Sequence, residues 1–371
     1  MFRRMLFGAG LVALAAGIGG WAQTAAAGGD LAAAKAVVDA HSAQPVFSAP
    51  GEAFDAKKVV SGKKLLVIPS TSANPWTKGI AQSEIVAAKK LGFELMEWEN
   101  QGRPTEWVQG MEYAINNKFS AIELMGGQDP ALLLPQIKQA HDAGLKVFVS
   151  HSSDSSEPGN PNVDLTMPVS YNTVGDLFAA WIAVKTEGKA KVLIVGSDDA
   201  RSTHPFVKGI TDGLAKYCGG SCPSSYINVP LAEWASKIQP GVQSALIADP
   251  TITYVVPIYD SMSQFVLPAI RITGNQGKVK IVTYNGTPFV LDAVRNGDVE
   301  MDVGESLNWI AYAILDAEMR HLAGLPDVKE LNVPLYIFDK SNVESAGIPA
   351  GYDNGFGTEF IGGYEKLWKL K

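Results

Sequence analysis

The sequence carries only two cysteines in 371 residues, too few for a disulfide framework or a cysteine-rich zinc module. It has no block of like charges, and so neither a basic arm nor an acidic tail. Lysine and arginine number 31 against 38 aspartates and glutamates, a formal charge of −7. Such a chain lacks the electrostatic footprint of a nucleic-acid binder. Signatures of catalysis are missing too. There is no Gly-x-Ser-x-Gly elbow. There is no Gly-x4-Gly-Lys-Ser/Thr phosphate loop and no His-Glu-x-x-His. The histidines, at 41, 141, 151, 204 and 321, have no close metal-ligand spacing. Asp198-Asp199 is a paired carboxylate, but a Ser-Asp-Asp loop ahead of a helix reads more simply as capping. The expectation is a protein that is not an enzyme and needs no cofactor and no metal. Apolar residues are well supplied, at 46%, with 19% charged, as in an ordinary globular chain. The length allows two or three domains.

Long hydrophobic runs are confined to the start. Arg3 and Arg4 precede an uncharged stretch from Met5 to Ala16, and Ala25-Ala26-Ala27 offers a small-residue cleavage site. This is the arrangement of a secretory signal peptide over residues 1–27. The alternative, a membrane anchor, would need about 20 apolar residues, and this run is shorter and broken by glycine. Removal of the segment takes away two of the 31 basic residues and leaves 29 against 38 acidic, a charge of −9. A soluble periplasmic protein is expected. In that oxidising compartment Cys218 and Cys222, which flank Gly219-Gly220-Ser221, are expected to form a disulfide. Two free thiols are the alternative.

Residues 28–61 form an N-terminal extension, with a short Ala-rich helix over Leu31–His41 and then breaks at Pro45, Pro50 and Gly51. From Lys64 a strict alternation begins. Leu65–Ile68 is wholly apolar, as befits a strand buried on both faces. Trp76–Leu91 is amphipathic and stops at Gly92. Further strands are expected at Phe93–Trp98, Ala121–Met125, Val147–Val149 and Val163–Val169, with helices between the first three of these and the strand before each. The rhythm restarts at Thr173 and runs to a last strand at Val333–Phe338, a C-terminal tail and a terminal helix from Glu359. Strands spaced by helices of this length imply βαβ units and parallel sheets. Ten or so strands exceed one typical sheet. The fold class expected is α/β, with two doubly wound parallel-sheet lobes. Ligands of such sheets bind beyond the carboxyl ends of the strands. The segments there are Ser70–Thr77, Ser150–Ser152, Gly196–His204, Ile258–Ser261 and Tyr284–Pro288, rich in aromatic and hydrogen-bonding groups. That chemistry suits a polar ring compound.

Three segments together carry a family resemblance: VIPSTSANPWTKGI, DAGLKVFVSH and IVTYNGTPFVLDAVRNGDVEMDVGES. Over Lys64–Asp339 the chain resembles the periplasmic type I solute-binding proteins of the ribose-binding, sugar ABC-transporter branch. The resemblance implies two lobes joined by a three-segment hinge and a cleft that closes like a flytrap. By analogy the first lobe holds 62–170 and 306–332, the second 171–305 and 333–339, and 340–371 is a tail. It also implies the ligand contacts. Asn74 and Trp76 match the amide and aromatic of the first loop. His151 and Ser152 stand where sugar binders carry an Asp-Arg pair, and cannot reproduce that charge-assisted fork. Arg201 or His204 falls at a ligand-binding arginine, Trp234 at an aromatic of the second lobe, and Tyr259 or Asp260 at an amide or acid after a strand. Asn285 stands in place of the usual Asp, and Glu305 in place of a Gln.

Each residue has a plainer reading. Trp76 and Trp234 could pack rather than stack. His151 could be a satisfied histidine at a strand end. Asp260 could be the N-cap of the following helix. Glu305 could brace a crossover. Asn285 is the firmest, because Gly286 lets the backbone approach and Pro288 starts a helix. The function implied is capture of a small polar ligand (a sugar, polyol or related ring compound) for an ABC permease, by a monomer that binds no nucleic acid. The alternative is the same fold presenting its ligand to a sensor kinase or chemoreceptor. A cytoplasmic repressor core is countered by the signal peptide and the lack of DNA-binding helices.

Overall fold

The computed structural model describes residues 29–370; the expected signal peptide lies outside the described residues. Two short helices come first, α1 (Leu31–Ala40) and α2 (Ala56–Val60). Then β1 (Lys64–Pro69), α3 (Pro75–Leu91), β2 (Glu94–Glu97), α4 (Pro104–Asn116), β3 (Ala121–Met125), α5 (Leu134–Asp142), β4 (Lys146–Asp154) and β5 (Leu165–Val169) build a first sheet. Its order is β2-β1-β3-β4-β5, parallel throughout. After α6 (Tyr171–Thr186) the pattern repeats with β6 (Val192–Gly196), α7 (Thr203–Cys218), β7 (Ser224–Asn228), α8 (Trp234–Ala248), β8 (Tyr254–Pro257), α9 (Ser263–Ile272), β9 (Lys280–Asn285), α10 (Pro288–Asn296) and β10 (Met301–Gly304). The chain then forms α11 (Leu307–Leu322), β11 (Tyr336–Asp339) and α12 (Glu359–Leu367). The second sheet has the order β11-β10-β9-β8-β6-β7, and β11 alone runs antiparallel. This is the α/β architecture of two doubly wound lobes.

Local chemistry explains the boundaries. Asn74 accepts the Trp76 amide at 2.8 Å, Pro75 fills the first turn of α3, and Gly92 ends it at φ 81°. Alternate residues of β1 serve opposite faces. Leu65 and Val67 join the core with α2, α3, α11 and α12, whereas Leu66 and Ile68 join the one under α4 and α5. In the second lobe Val192 and Ile194 face α1, α6 and α7, and Leu193 and Val195 face α8, α9 and α10.

Two expectations need correction. Ser150-His151-Ser152 is not a loop after a strand, because β4 continues to Asp154 and carries them buried. The register against β5 shifts between Ser150 and Asp154, and His151 stands at φ 50° within that irregularity. Trp76, matched above to the aromatic of the first loop, lies in the first turn of α3 and is only 9% exposed against the lobe core. The expected disulfide is present, Cys218 to Cys222, at the end of α7.

Candidate functional site

The carboxyl ends of both sheets face each other, and the lobes touch across the cleft. Arg201, in the loop after β6, reaches Asp129 at 3.8 Å and Glu157 at 3.5 Å, both on the first lobe. Tyr171, at the start of α6, donates its hydroxyl to the His151 carbonyl at 2.9 Å.

On the first-lobe side Trp76 and His151 pack edge to face, with ring centres 5.3 Å apart. His151 is 1% exposed, and burial pushes its imidazole down to about 3, so it is neutral. Neither of its ring nitrogens has a hydrogen-bond partner, and the Trp76 indole N–H has none either. Ser152 is buried beside them on β4. Asn74 spends its side-chain oxygen on the α3 cap.

On the second-lobe side Glu305 is fully buried. One oxygen accepts the Tyr284 hydroxyl, and the other is unpartnered. Burial raises its carboxyl to about 7. Asn285, the last residue of β9, is 8% exposed at φ 136°, a backbone region that disfavours a side chain. Its loop is pinned by Asp260, whose carboxylate accepts the Thr287 amide at 2.6 Å and the Thr287 hydroxyl at 2.7 Å. Asp260 therefore braces the Asn285 loop and makes no side-chain cap on α9. Trp234 donates to Ser197 at 2.7 Å and stacks on Tyr259 at 6.0 Å. Tyr259 in turn bonds Ser202 at 2.7 Å. His204 is exposed on α7.

The structure thus brings Trp76, His151, Ser152, Tyr259, Asn285 and Glu305 to the facing ends of the sheets. Arg201 is engaged by acids across the cleft, and His204 points to solvent. Sequence reasoning gave no role to Tyr171 or Phe206, and placed Tyr284 in a candidate segment without assigning it a contact. Phe206 packs against Tyr171, Tyr259 and Tyr284 at 6.2, 6.3 and 5.6 Å and holds the tyrosines as one wall. A signal for Tyr284 was present, since it immediately precedes Asn285. A cavity of about 360 Å3 lies beside the hinge, between residues 40–46, 168–173 and 330–335. Among the described residues, no group of three or more His, Cys, Asp or Glu is arranged to hold a metal, and no helix is long and apolar enough to cross a membrane. The arrangement offers donors, acceptors and ring faces, which is chemistry for a hydroxylated molecule.

Comparison with known proteins agrees with this fold. Residues 65–326 match the periplasmic binding protein domain. No curated protein matches the sequence. Among solved structures, the glucose-galactose binding protein of Geobacillus stearothermophilus is 17% identical, with a TM-score of 0.67 over 76% of this chain and 98% of that one. An ABC-transporter solute-binding protein of Agrobacterium vitis with bound allitol is 17% identical, with a TM-score of 0.65 over 76% and 97%. One from Burkholderia graminis in complex with D-arabinose is 21% identical, with a TM-score of 0.64 over 76% and 97%. Each is covered almost entirely, whereas about a quarter of this chain lies outside the match.

Proposed function

The chain belongs to the periplasmic binding protein family, and we propose on that footing that it captures a small neutral sugar or polyol between its lobes and delivers it to an ABC permease. In this reading residues 1–27 direct export, residues 62–170 with 306–332 and residues 171–305 with 333–339 are the two lobes, and a monomer carries one ligand with no reaction. One observation carries the proposal. The Trp76 N–H, both His151 nitrogens and one Glu305 oxygen are buried and unpartnered, and they come from both sides of the cleft. An unpaired buried polar group costs about 1–3 kcal/mol. A ligand bearing hydroxyls would satisfy these groups with donors and acceptors, and its ring could rest against Trp76. The solved relatives named above, bound to allitol and D-arabinose, support that ligand class. A sensor role draws no support from relatives described as transporter components.

The test is a thermal-shift screen of monosaccharides and polyols on the exported protein, followed by calorimetry of each hit. Ligand at 100 times its Kd adds about 2.7 kcal/mol of stability, which such a screen resolves. A panel in which no sugar or polyol shifts the midpoint would defeat this reading.

A further inference from the structure

We propose that the N-terminal extension and the C-terminal tail are two added tethers across the hinge, which hold the lobes within a narrow range of opening. The proposal rests on the two-lobe binding reading above and concerns how that binding is regulated. Both segments lie outside the family match, which spans 65–326.

The first tether starts on the second lobe. Ala34 and Val38 of α1 share a core with Phe178 of α6 and Leu214 of α7. The Ile337 amide of β11 donates to the His41 carbonyl at 2.8 Å. It ends on the first lobe. Phe47 packs on Trp309 of α11 at 6.1 Å and on Tyr364 of α12 at 5.0 Å, and α2 joins the same core. Phe47 is six positions after His41, so this span reaches at most about 20 Å. Pro45 stiffens it. Val46 is 88% exposed, so the middle of the span is strap rather than core.

The second tether runs in parallel. Phe356 packs on Tyr336 and Phe338 of the second lobe, at 5.7 and 5.8 Å. Four residues later Phe360 stacks on Trp309 of the first lobe at 4.6 Å. The reach of that span is about 13 Å. The two straps touch: a Cβ on Gly357 would meet the Gln44 amide nitrogen at 2.7 Å. On the first lobe their ends are fastened together. The Phe54 amide donates to the Leu367 carbonyl at 2.7 Å. Arg320 donates to the Glu52 carbonyl at 3.0 Å and to Asp316 at 2.6 Å, and Asp316 also accepts the Trp368 indole at 2.8 Å. The 360 Å3 cavity lies between the first strap and two of the crossing segments, 168–173 and 330–335. The strap therefore runs beside the hinge. Its effect is to stiffen the hinge and keep the unliganded protein near its binding-competent arrangement. The apparent Kd falls as the competent fraction rises.

The experiment reads the unliganded mature protein by pulsed dipolar EPR. Spin labels are placed by Leu132→Cys and Leu231→Cys, on exposed side chains just beyond the carboxyl ends of β3 and β7. The only native cysteines are paired in the disulfide. Insertion of Gly-Ser-Gly-Ser between Pro45 and Val46, and again between Gly357 and Thr358, adds about 13 Å of reach to each strap without touching any anchor. The expected result is a broader interlobe distance distribution with its mean moved outward by about 5 Å or more, within that added reach. The insertion in the second strap alone, made in a protein that also carries Phe47→Ala to loosen the first strap's contact with Trp309 and Tyr364, should shift it in the same direction, and decides if the double insertion does not fold. Wild-type distributions in the folded variants would overturn the proposal. No sugar is used, so failure of the ligand screen and failure of the tethers are separate results.

Discussion

Raising the pH from 5 to 8 should weaken the first lobe, and Glu123→Gln should remove a large part of that loss. Three carboxyls meet inside this lobe: Glu84 on α3, Glu123 on β3 and Glu318 on α11, each at most 1% exposed. Glu123 accepts the Ser150 hydroxyl through one oxygen. Glu84 and Glu123 share a hydrogen bond that needs a proton on one of them, and no other group of the protein pairs with the remaining oxygens of Glu84, Glu123 and Glu318. Burial raises Glu123 from 4.5 to about 7. Glu84 and Glu318 are held well above the carboxylate range, by burial first and by repulsion from Glu123 second. An acid raised on folding binds its proton more tightly in the folded state. Its stabilising contribution is complete below 4.5 and is lost as the pH climbs through about 7. For Glu123 the gap between those values corresponds to about 3 kcal/mol, at about 1.4 kcal/mol per pH unit. Urea unfolding at pH 5, 6, 7 and 8, followed by tryptophan fluorescence, measures it. Asp260 and Glu305 are also raised to about 7, so the total fall is not due to Glu123 alone. The difference between wild type and Glu123→Gln reports the share of this cluster, because the substitution also relieves the repulsion that raises Glu84 and Glu318, and the variant should lose less stability across the range. Parallel pH profiles for the two proteins, or a wild type that gains stability towards pH 8, would refute the argument.

Trp76→Phe keeps most of the buried ring and deletes the unpartnered N–H. Calorimetry with the sugar found in the screen should show binding weaker by about 1–2 kcal/mol with little change in thermal midpoint; undiminished affinity would remove Trp76 from the ligand contacts. Asp260→Ala leaves the Thr287 amide and hydroxyl without their acceptor. It should cost about 1–3 kcal/mol in urea unfolding and also weaken binding through the Asn285 loop, and a variant as stable as wild type would mean that the brace is idle. Reduction of Cys218–Cys222 opens a loop of sequence separation 4. It should cost about 2 kcal/mol on the chain-entropy account, and two titratable thiols in the unreduced, denatured protein would deny the bridge altogether.

The strand-helix alternation was legible because each strand is buried on both faces and so reads as an unbroken apolar run. Leu65–Ile68 and the segment 192–195 are examples. Glycines at helix ends made the stops visible, as at Gly92 and Gly297. The failures have physical reasons. At Ser150–Asp154 the strand turns polar while remaining buried, because this end of β4 faces the cleft. Hydrophobic pattern cannot distinguish such a segment from a loop. Five-residue α2 is too short to show a period. The crossings made by the two termini are invisible for a different reason. An amphipathic helix displays its apolar face but not its partner, and nothing in Leu31–Ala40 says that it lies on the second lobe while Ala56–Val60 lies on the first.

The candidate site was legible in position but not in role, and the reason is that role depends on what else a side chain already touches. Arg201, Trp234 and Asp260 have the right chemistry in the right loops. The fold engages all three, through Asp129 and Glu157, through Ser197, and through Thr287. A group whose bonds are made within the protein has little left to offer a ligand. Trp76, His151 and Glu305 differ because burial removes water from them and the protein supplies no substitute. Buried polar groups are mostly paired, and a bound ligand would supply these with partners. These groups come from separate lobes. Opening the cleft would return them to water, and closing it on an empty site would strand them. A ligand that pairs with all of them at once therefore has a differential affinity for the closed arrangement, and that difference is the only means by which binding can close the hinge.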